Sequence, residues 1–223
     1  MFEDYKFRAS SLGKIMTNDR SGKGMGDTAR TYLKEIYVEK VWGKRKDIHS
    51  KYISKGLMVE EMAIAFYSSQ HGDFFYKNDE WFSNDFISGT PDIVADEMII
   101  DIKSSWDAFT FMKVDGKNKD YFYQLQAYMW LCDKPTSKLA YVLTNTPLQL
   151  IEDEKRKLNW GMGMIDDMDE IYLEACAEID KQHDLSKIPM EKRIKEFTID
   201  RDEKVIEKIK ERVLEAREYL ETL

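Results

Sequence analysis

The chain has few cysteines, no long apolar run and no excess of positive charge, and each absence removes a class of protein. Cys132 and Cys176 are the only thiols in 223 residues. Two are too few for a four-thiolate zinc or iron–sulfur centre and too few for a disulfide framework, so the expectation is a pair of buried free thiols in a reducing cytoplasm. The N-terminus MFEDYKFRAS is charged and lacks an apolar h-region. No window approaches the roughly 18 apolar residues that a membrane span needs, which predicts a soluble, cytoplasmic protein with no membrane partner. Lys and Arg number 34 against 42 Asp and Glu, a net charge of −8 with a pI near 5.1. That balance argues against coating nucleic acid by bulk electrostatics. Internal repeats and low-complexity segments are absent as well.

What is present suits a folded enzyme. With 43% hydrophobic and 34% charged residues the chain can build a core and stay soluble. Its length fits one α/β or α+β domain over residues 1–223, closed by a C-terminal helix at about 202–223. Charge is uneven: residues 1–50 carry eleven Lys/Arg against seven Asp/Glu, whereas 158–180 carry seven acids and no base. The first end can meet phosphate and the second repels it. A stretch rich in Gly, Ser and Asp at 18–30 predicts a mobile loop, and its SGKG fails as a phosphate loop because no Ser or Thr follows the Gly-Lys pair. Helical spacing follows at 29–42 and at 55–69, the second apolar enough to predict burial. Short β-rich runs then occupy 74–105, beginning with FFYKN. Further on, the pattern predicts a helix over 120–132, a strand over 139–144, an acidic helix over 166–180 and a strand in RIKEFTID. The last helix would carry Val205, Ile209, Val213 and Ala216 along one face.

The segment GTPDIVADEMIIDIKSS, residues 89–105, concentrates the chemistry. If DIVA and MIID pair as an antiparallel hairpin turning at Asp96 and Glu97, Val94 opposes Ile99, Ile93 opposes Ile100 and Asp92 opposes Asp101. Cross-strand partners have Cβ atoms roughly 4.5–5.5 Å apart, so these two carboxylates repel unless something neutralises them. Period two puts Asp101 and Lys103 on one face and Ile100 and Ile102 on the other. Paired carboxylates on a buried hairpin make a hard-oxygen site suited to Mg²⁺ or Mn²⁺, with Lys103 placed to hold a water, which is the set that metal-assisted phosphodiester hydrolysis uses. Bound cations would also reverse the local field of an acidic chain where it matters. Glu60 stands among apolar residues, where an unpaired buried carboxylate is costly and a cation would relieve it. Gln124 and Tyr128 are four apart on a helix and share a face, and both can hydrogen-bond phosphate or a metal-bound water.

These residues resemble the PD-(D/E)XK nuclease superfamily and, within it, the phage lambda exonuclease and YqaJ-like viral recombinase family. The likeness is carried by Gly56, Glu60, Ala63 and Tyr67 in G-x-x-x-E-x-x-A-x-x-x-Y, by Asp92, by Asp101-Ile102-Lys103, and by Gln124 with Tyr128. RASSLGKI (8–15) is similar to the family's N-terminal segment and FTIDRDEKVIEKI to its C-terminal strand and helix. The resemblance implies a restriction-endonuclease-like fold, a central mixed β-sheet flanked by helices. It implies two Mg²⁺ ions, with Mn²⁺ as a substitute, on Glu60, Asp92, Asp101 and the Ile102 carbonyl, and Lys103 activating the attacking water. It implies linear double-stranded DNA as substrate, degraded from the 5′ end, with Arg8 and Ser10 or Ser11 on the terminal phosphate. A single-strand annealing protein would be the partner and a ring-shaped homotrimer the assembly. Other readings remain: a structure-selective endonuclease, a RecB-like repair nuclease, or a catalytically silent DNA-binding subunit. Residues 112–119 are a candidate lid or DNA contact.

Overall fold

The computed structural model describes residues 1–22, 24–46, 50–163 and 169–223. In chain order these form β1 (Phe7–Arg8), a 3₁₀ turn (Ala9–Ser11), α1 (Leu12–Ile15), α2 (Asp27–Val41), α3 (Lys51–His71), β2 (Phe82–Ser83), β3 (Ile87–Gly89), β4 (Ile93–Val94) and β5 (Met98–Ser104). Then come α4 (Ala108–Met112), α5 (Lys119–Leu131), β6 (Thr136–Val142), α6 (Leu148–Met162), α7 (Glu170–His183), β7 (Ile194–Asp200) and α8 (Glu203–Glu221).

The fold is mixed α/β. Four strands run in the order β4-β5-β6-β7, with β5 and β6 parallel and both outer pairs antiparallel, and a smaller sheet has the order β1-β3-β2. Because β5 and β6 are parallel they need a crossover, and α4 and α5 supply it. Period two along β5 divides its side chains between two layers. Ile99 joins Leu125 and Met129 of α5, Leu139, and Ile209 and Val213 of α8 in the main core, which extends to α1 and α2. Ile100, Ile93, Ala140 and Val142 face Ala63, Ile64 and Tyr67 of α3 on the other side. Helices therefore cover both faces of the sheet.

Helix ends follow local chemistry. Asn118, Asp169 and Asp202 each accept from two backbone N–H groups at the starts of α5, α7 and α8, and Asp107 with Thr110 forms a capping box on α4. Gly72, at φ 64°, ends α3 in the left-handed conformation that a side chain disfavours. In α8, Ile209, Val213 and Ala216 are buried and Val205 packs against them, as the spacing predicts.

Several expectations are corrected. FFYKN forms no strand: Phe74 and Tyr76 are exposed, and its backbone meets the β4 side only through the Asn78 N–H, which donates to the Asp92 carbonyl at 2.8 Å, too little for a ladder. Helix α3 is longer than 55–69 and only one side is buried, with Tyr52, Leu57, Met58 and Met62 exposed. Segment 18–30 is no open loop. Asn18 bridges Met25, Asp19 accepts from the backbone and hydroxyl of Ser21, and α2 already begins at Asp27; Lys23 lies outside the described residues. The strand expected over 139–144 starts three residues earlier, at Thr136. Of the acidic helix expected over 166–180, Glu170 onward is helical and continues to His183, while 166–168 lie outside the described residues. Neither Cys132 nor Cys176 is fully buried; both are free. Among the described residues no helix is long and apolar enough to cross a membrane.

Candidate active site

The hairpin has the register that the sequence predicts. Ile93 pairs with Ile100 and Val94 with Ile99, and the Ala95 N–H donates to the Met98 carbonyl at 2.9 Å, closing the turn over Asp96 and Glu97. Asp92 stands where β4 begins. Its Oδ2 accepts from the Ile102 N–H at 2.7 Å, so the carboxylate continues the ladder in place of a backbone carbonyl. Because the N–H and C=O of one strand residue face the same neighbour, the Ile102 carbonyl points to this edge as well.

Asp101 is the centre of the cluster and is 1% exposed. The Lys103 ammonium lies 2.6 Å from its Oδ2, and Gln124 Nε2 donates to its Oδ1 at 3.3 Å. The same amide nitrogen donates to the Tyr128 hydroxyl at 3.0 Å. Gln124 and Tyr128 thus share a helix face as predicted, but both are buried. Their contacts orient Asp101 rather than open to solvent. Asp101 Oδ2 is buried, and the Lys103 ammonium at 2.6 Å is its close partner. Lys103 in turn sits 5.0 Å from the centre of the Tyr121 ring.

The electrostatics follow from this crowding. Burial, then the Asp101 charge, pushes the Asp92 carboxyl up to about 7, and the backbone bond from Ile102 and the Lys103 charge only partly offset that. Burial disfavours the Lys103 ammonium, yet Asp101 and Asp92 together outweigh it and hold the group above the usual lysine range. Burial and the Asp101 charge likewise raise the Tyr128 phenol, which stays protonated. The repulsion that the hairpin alone predicts is therefore visible in the raised Asp92 pKa.

A stability prediction follows. The folded Asp92 pKa lies above its ordinary value of 3.8, so the native state retains a proton that the unfolded chain has lost, and stability falls as pH rises from about 4 through about 7. Asp92→Asn keeps an oxygen for the Ile102 N–H and removes the charge. In chelator at pH 8 it should melt several degrees above the wild type, and the difference should vanish near pH 4. Equal melting temperatures at pH 8 would mean that Asp92 carries no such burden.

Glu60 differs from expectation. It is half-buried rather than buried, and it pairs with Lys77, Nζ to Oε2 at 3.2 Å. The layers explain this: Asp101 meets Gln124 of α5, whereas α3, which carries Glu60, packs Ala63, Ile64 and Tyr67 on the Ile100 side of the sheet. Glu60 is near enough to raise the Asp92 pKa, though least of the named causes. Among the described residues no three His, Cys, Asp or Glu side chains are already gathered to hold a metal. Asp92, Asp101 and the Ile102 backbone thus meet at the β4–β5 edge, and Glu60 is paired with Lys77.

The N-terminal segment reaches the same site from the far side of Tyr128. Gly89, ahead of Asp92, is required by close approach: a Cβ there would lie 2.8 Å from a Tyr128 ring carbon and 3.2 Å from Ala9 Cβ. Arg8 and Ser10, flanking Ala9, are exposed, while Ser11 is half-buried. Residues 112–119 make no free lid, since Lys195 donates to the carbonyls of Phe111 and Met112 at 3.0 Å, Gly116 rests on the Phe197 ring and Lys119 already begins α5. Sequence reasoning missed Lys77, Tyr121 and the buried Lys55; the one signal was a basic residue inside the apolar helix 55–69.

No protein-family model and no curated protein matches the chain. Solved structures do. The phage-related exonuclease from Haemophilus somnus 129PT is 31% identical with a TM-score of 0.79, the match covering 98% of this chain and 95% of that one. The chain belongs to this phage exonuclease family, of the lambda exonuclease and YqaJ-like type. The alkaline exonuclease LHK-Exo from Laribacter hongkongensis shares the fold at 15% identity, TM-score 0.63, over 99% of this chain and 90% of that one. LHK-Exo in complex with dAMP superposes similarly, with a TM-score of 0.64 at 16% identity over 97% of this chain and 88% of that one. Membership of this exonuclease family makes the chain a nuclease, and the Asp92, Asp101 and Lys103 cluster lies where the fold's helices and hairpin converge.

Proposed function

We propose that this phage-type exonuclease is a metal-dependent enzyme that hydrolyses linear double-stranded DNA from the 5′ end and leaves a 3′ single strand for an annealing partner. The observation that carries the reading is the buried Asp101 carboxylate beside a second, half-buried carboxylate, Asp92, and a lysine at 2.6 Å. A hard divalent cation fits that donor set: Asp92, Asp101 and the Ile102 carbonyl would hold Mg²⁺ or Mn²⁺, and Glu60 would join on exchanging Lys77 for the ion. The chemistry such an ion supplies is a polarised phosphoryl oxygen and a more acidic water. The chain's own residues do the rest. Gln124 fixes the rotation of the Asp101 carboxylate, with Tyr128 bracing Gln124. Lys103, kept as an ammonium by Asp101 and Asp92, is a donor only and would orient the attacking water and offset negative charge developing on the phosphoryl group. Arg8 with Ser10, both exposed, or the half-buried Ser11 would hold a terminal phosphate, where charge-assisted bonds position a strand without reading its sequence.

Substrate form tests this reading. With Mg²⁺, linear duplex carrying a 5′ phosphate should be consumed to a 3′ single strand, covalently closed circular plasmid should be spared, and chelator should stop the reaction. Rapid nicking of supercoiled plasmid would instead make the chain an endonuclease.

A further inference from the structure

We infer that Lys55 is a positioning residue that docks α3, and with it Glu60, against the ends of the two parallel strands behind the catalytic hairpin. Lys55 is 1% exposed, and its ammonium donates to the backbone carbonyls of Trp106 and Thr144, each at 2.9 Å. Those carbonyls lie just beyond the C-terminal ends of β5 and β6, the first of which carries Asp101 and Lys103. Beyond a strand's end the ladder no longer supplies donors, and a buried carbonyl left unpaired is costly. One side chain satisfies both. Thr146 Oγ1 adds a weaker bond to the Trp106 carbonyl at 3.3 Å, and the Lys55 ammonium lies 5.9 Å from the centre of the Trp106 ring.

The contact is unusual because it is ionic without being an ion pair. No carboxylate stands within salt-bridge distance of Lys55 among the described residues; Asp107 acts on it only at longer range. Burying an unpaired ammonium is unfavourable, and an apolar side chain of similar length would fill the space more cheaply. What the apolar chain cannot do is hold two carbonyls from different strands at fixed distance from one helix. Glu60 is five residues along that helix. Beyond Glu60, α3 packs Ala63, Ile64 and Tyr67 on aliphatic side chains of the sheet, and the Tyr67 hydroxyl bonds Glu196 on β7. On the N-terminal side of Glu60, Lys51 pairs with Glu154 of α6, while Lys55 is the buried tie to the strand ends themselves, and so it sets how close Glu60 comes to Asp92.

This inference rests on the proposed reading of the site, so the wild type is measured first: Mn²⁺ should raise its melting temperature and support hydrolysis of linear duplex. Failure of both overturns the reading and the inference together. Given a responsive wild type, Lys55→Met, which keeps the stem and removes the donor, should need at least tenfold more Mn²⁺ for half of the thermal shift. Its kcat should drop at least tenfold with KM for DNA unchanged. Tyr67→Phe serves as the comparison, since it removes the hydrogen bond to Glu196 from the same helix. It should lower the melting temperature without moving the Mn²⁺ requirement. A Lys55→Met protein with wild-type Mn²⁺ requirement, or a Tyr67→Phe protein that shifts it equally, overturns the inference. If Lys55→Met does not fold, Lys55→Arg decides: its longer, planar head must displace the two carbonyls and raise the Mn²⁺ requirement, and an unchanged requirement overturns the inference.

Discussion

Asp101→Ala and Asp92→Ala should each reduce hydrolysis of linear duplex DNA by at least a thousandfold while DNA binding survives, a loss of about 4 kcal/mol in barrier stabilisation. Asp101 is the residue on which the site converges, touched by Lys103 and Gln124 and facing away from solvent. Removing it takes away the buried donor best suited to a divalent cation and leaves Lys103 without the carboxylate that holds it in place. Asp92 acts differently: its carboxylate caps the ladder at Ile102 and brings a second negative charge to the same edge. Neither change touches the exposed Arg8 and Ser10, so electrostatic contacts to phosphate persist and a gel shift in Ca²⁺ or chelator should remain near wild type. Cleavage by either purified variant above a tenth of the wild-type rate would remove these residues from the chemistry.

The parts of this site that sequence alone discloses are those set by short-range periodicity. Asp92 and Asp101 are brought together by a two-residue turn and a period of two, so their pairing is readable once the hairpin is accepted. Gln124 and Tyr128 meet because α5 repeats every 3.6 residues. What those rules do not reach is which layer an element joins. Glu60 has the spacing of a ligand, yet its helix packs on the sheet face opposite Asp101, and its partner Lys77 comes from a segment that reads as a strand and is none. The bond from Lys195 to the carbonyls of α4, which pins residues 113–118, spans over eighty positions and leaves no local trace. Helix α6 was hidden for another reason: Leu150 and Ile151 are its only buried residues, so its apolar signal is short beside the surrounding charge.

Lys103→Met should lower the turnover rate by at least two orders of magnitude, the usual scale for a group that orients or exchanges a proton with water. It should also destabilise the metal-free protein. Lys103 is the cation beside Asp101, and removing one member of a buried pair strands the other charge, which costs about 3–5 kcal/mol where no water can reach it. The two effects have different origins and can be separated. Adding Asp101→Asn to Lys103→Met removes the stranded charge, so the double variant should recover most of the lost melting temperature in chelator and remain inactive. Saturating Mn²⁺ should stabilise Lys103→Met more than it stabilises the wild type, because a cation then takes the place that the ammonium left. A Lys103→Met protein that cuts DNA near the wild-type rate would make the lysine structural. A double variant that melts no higher than Lys103→Met would show that Asp101 does not depend on this ion pair for its burial.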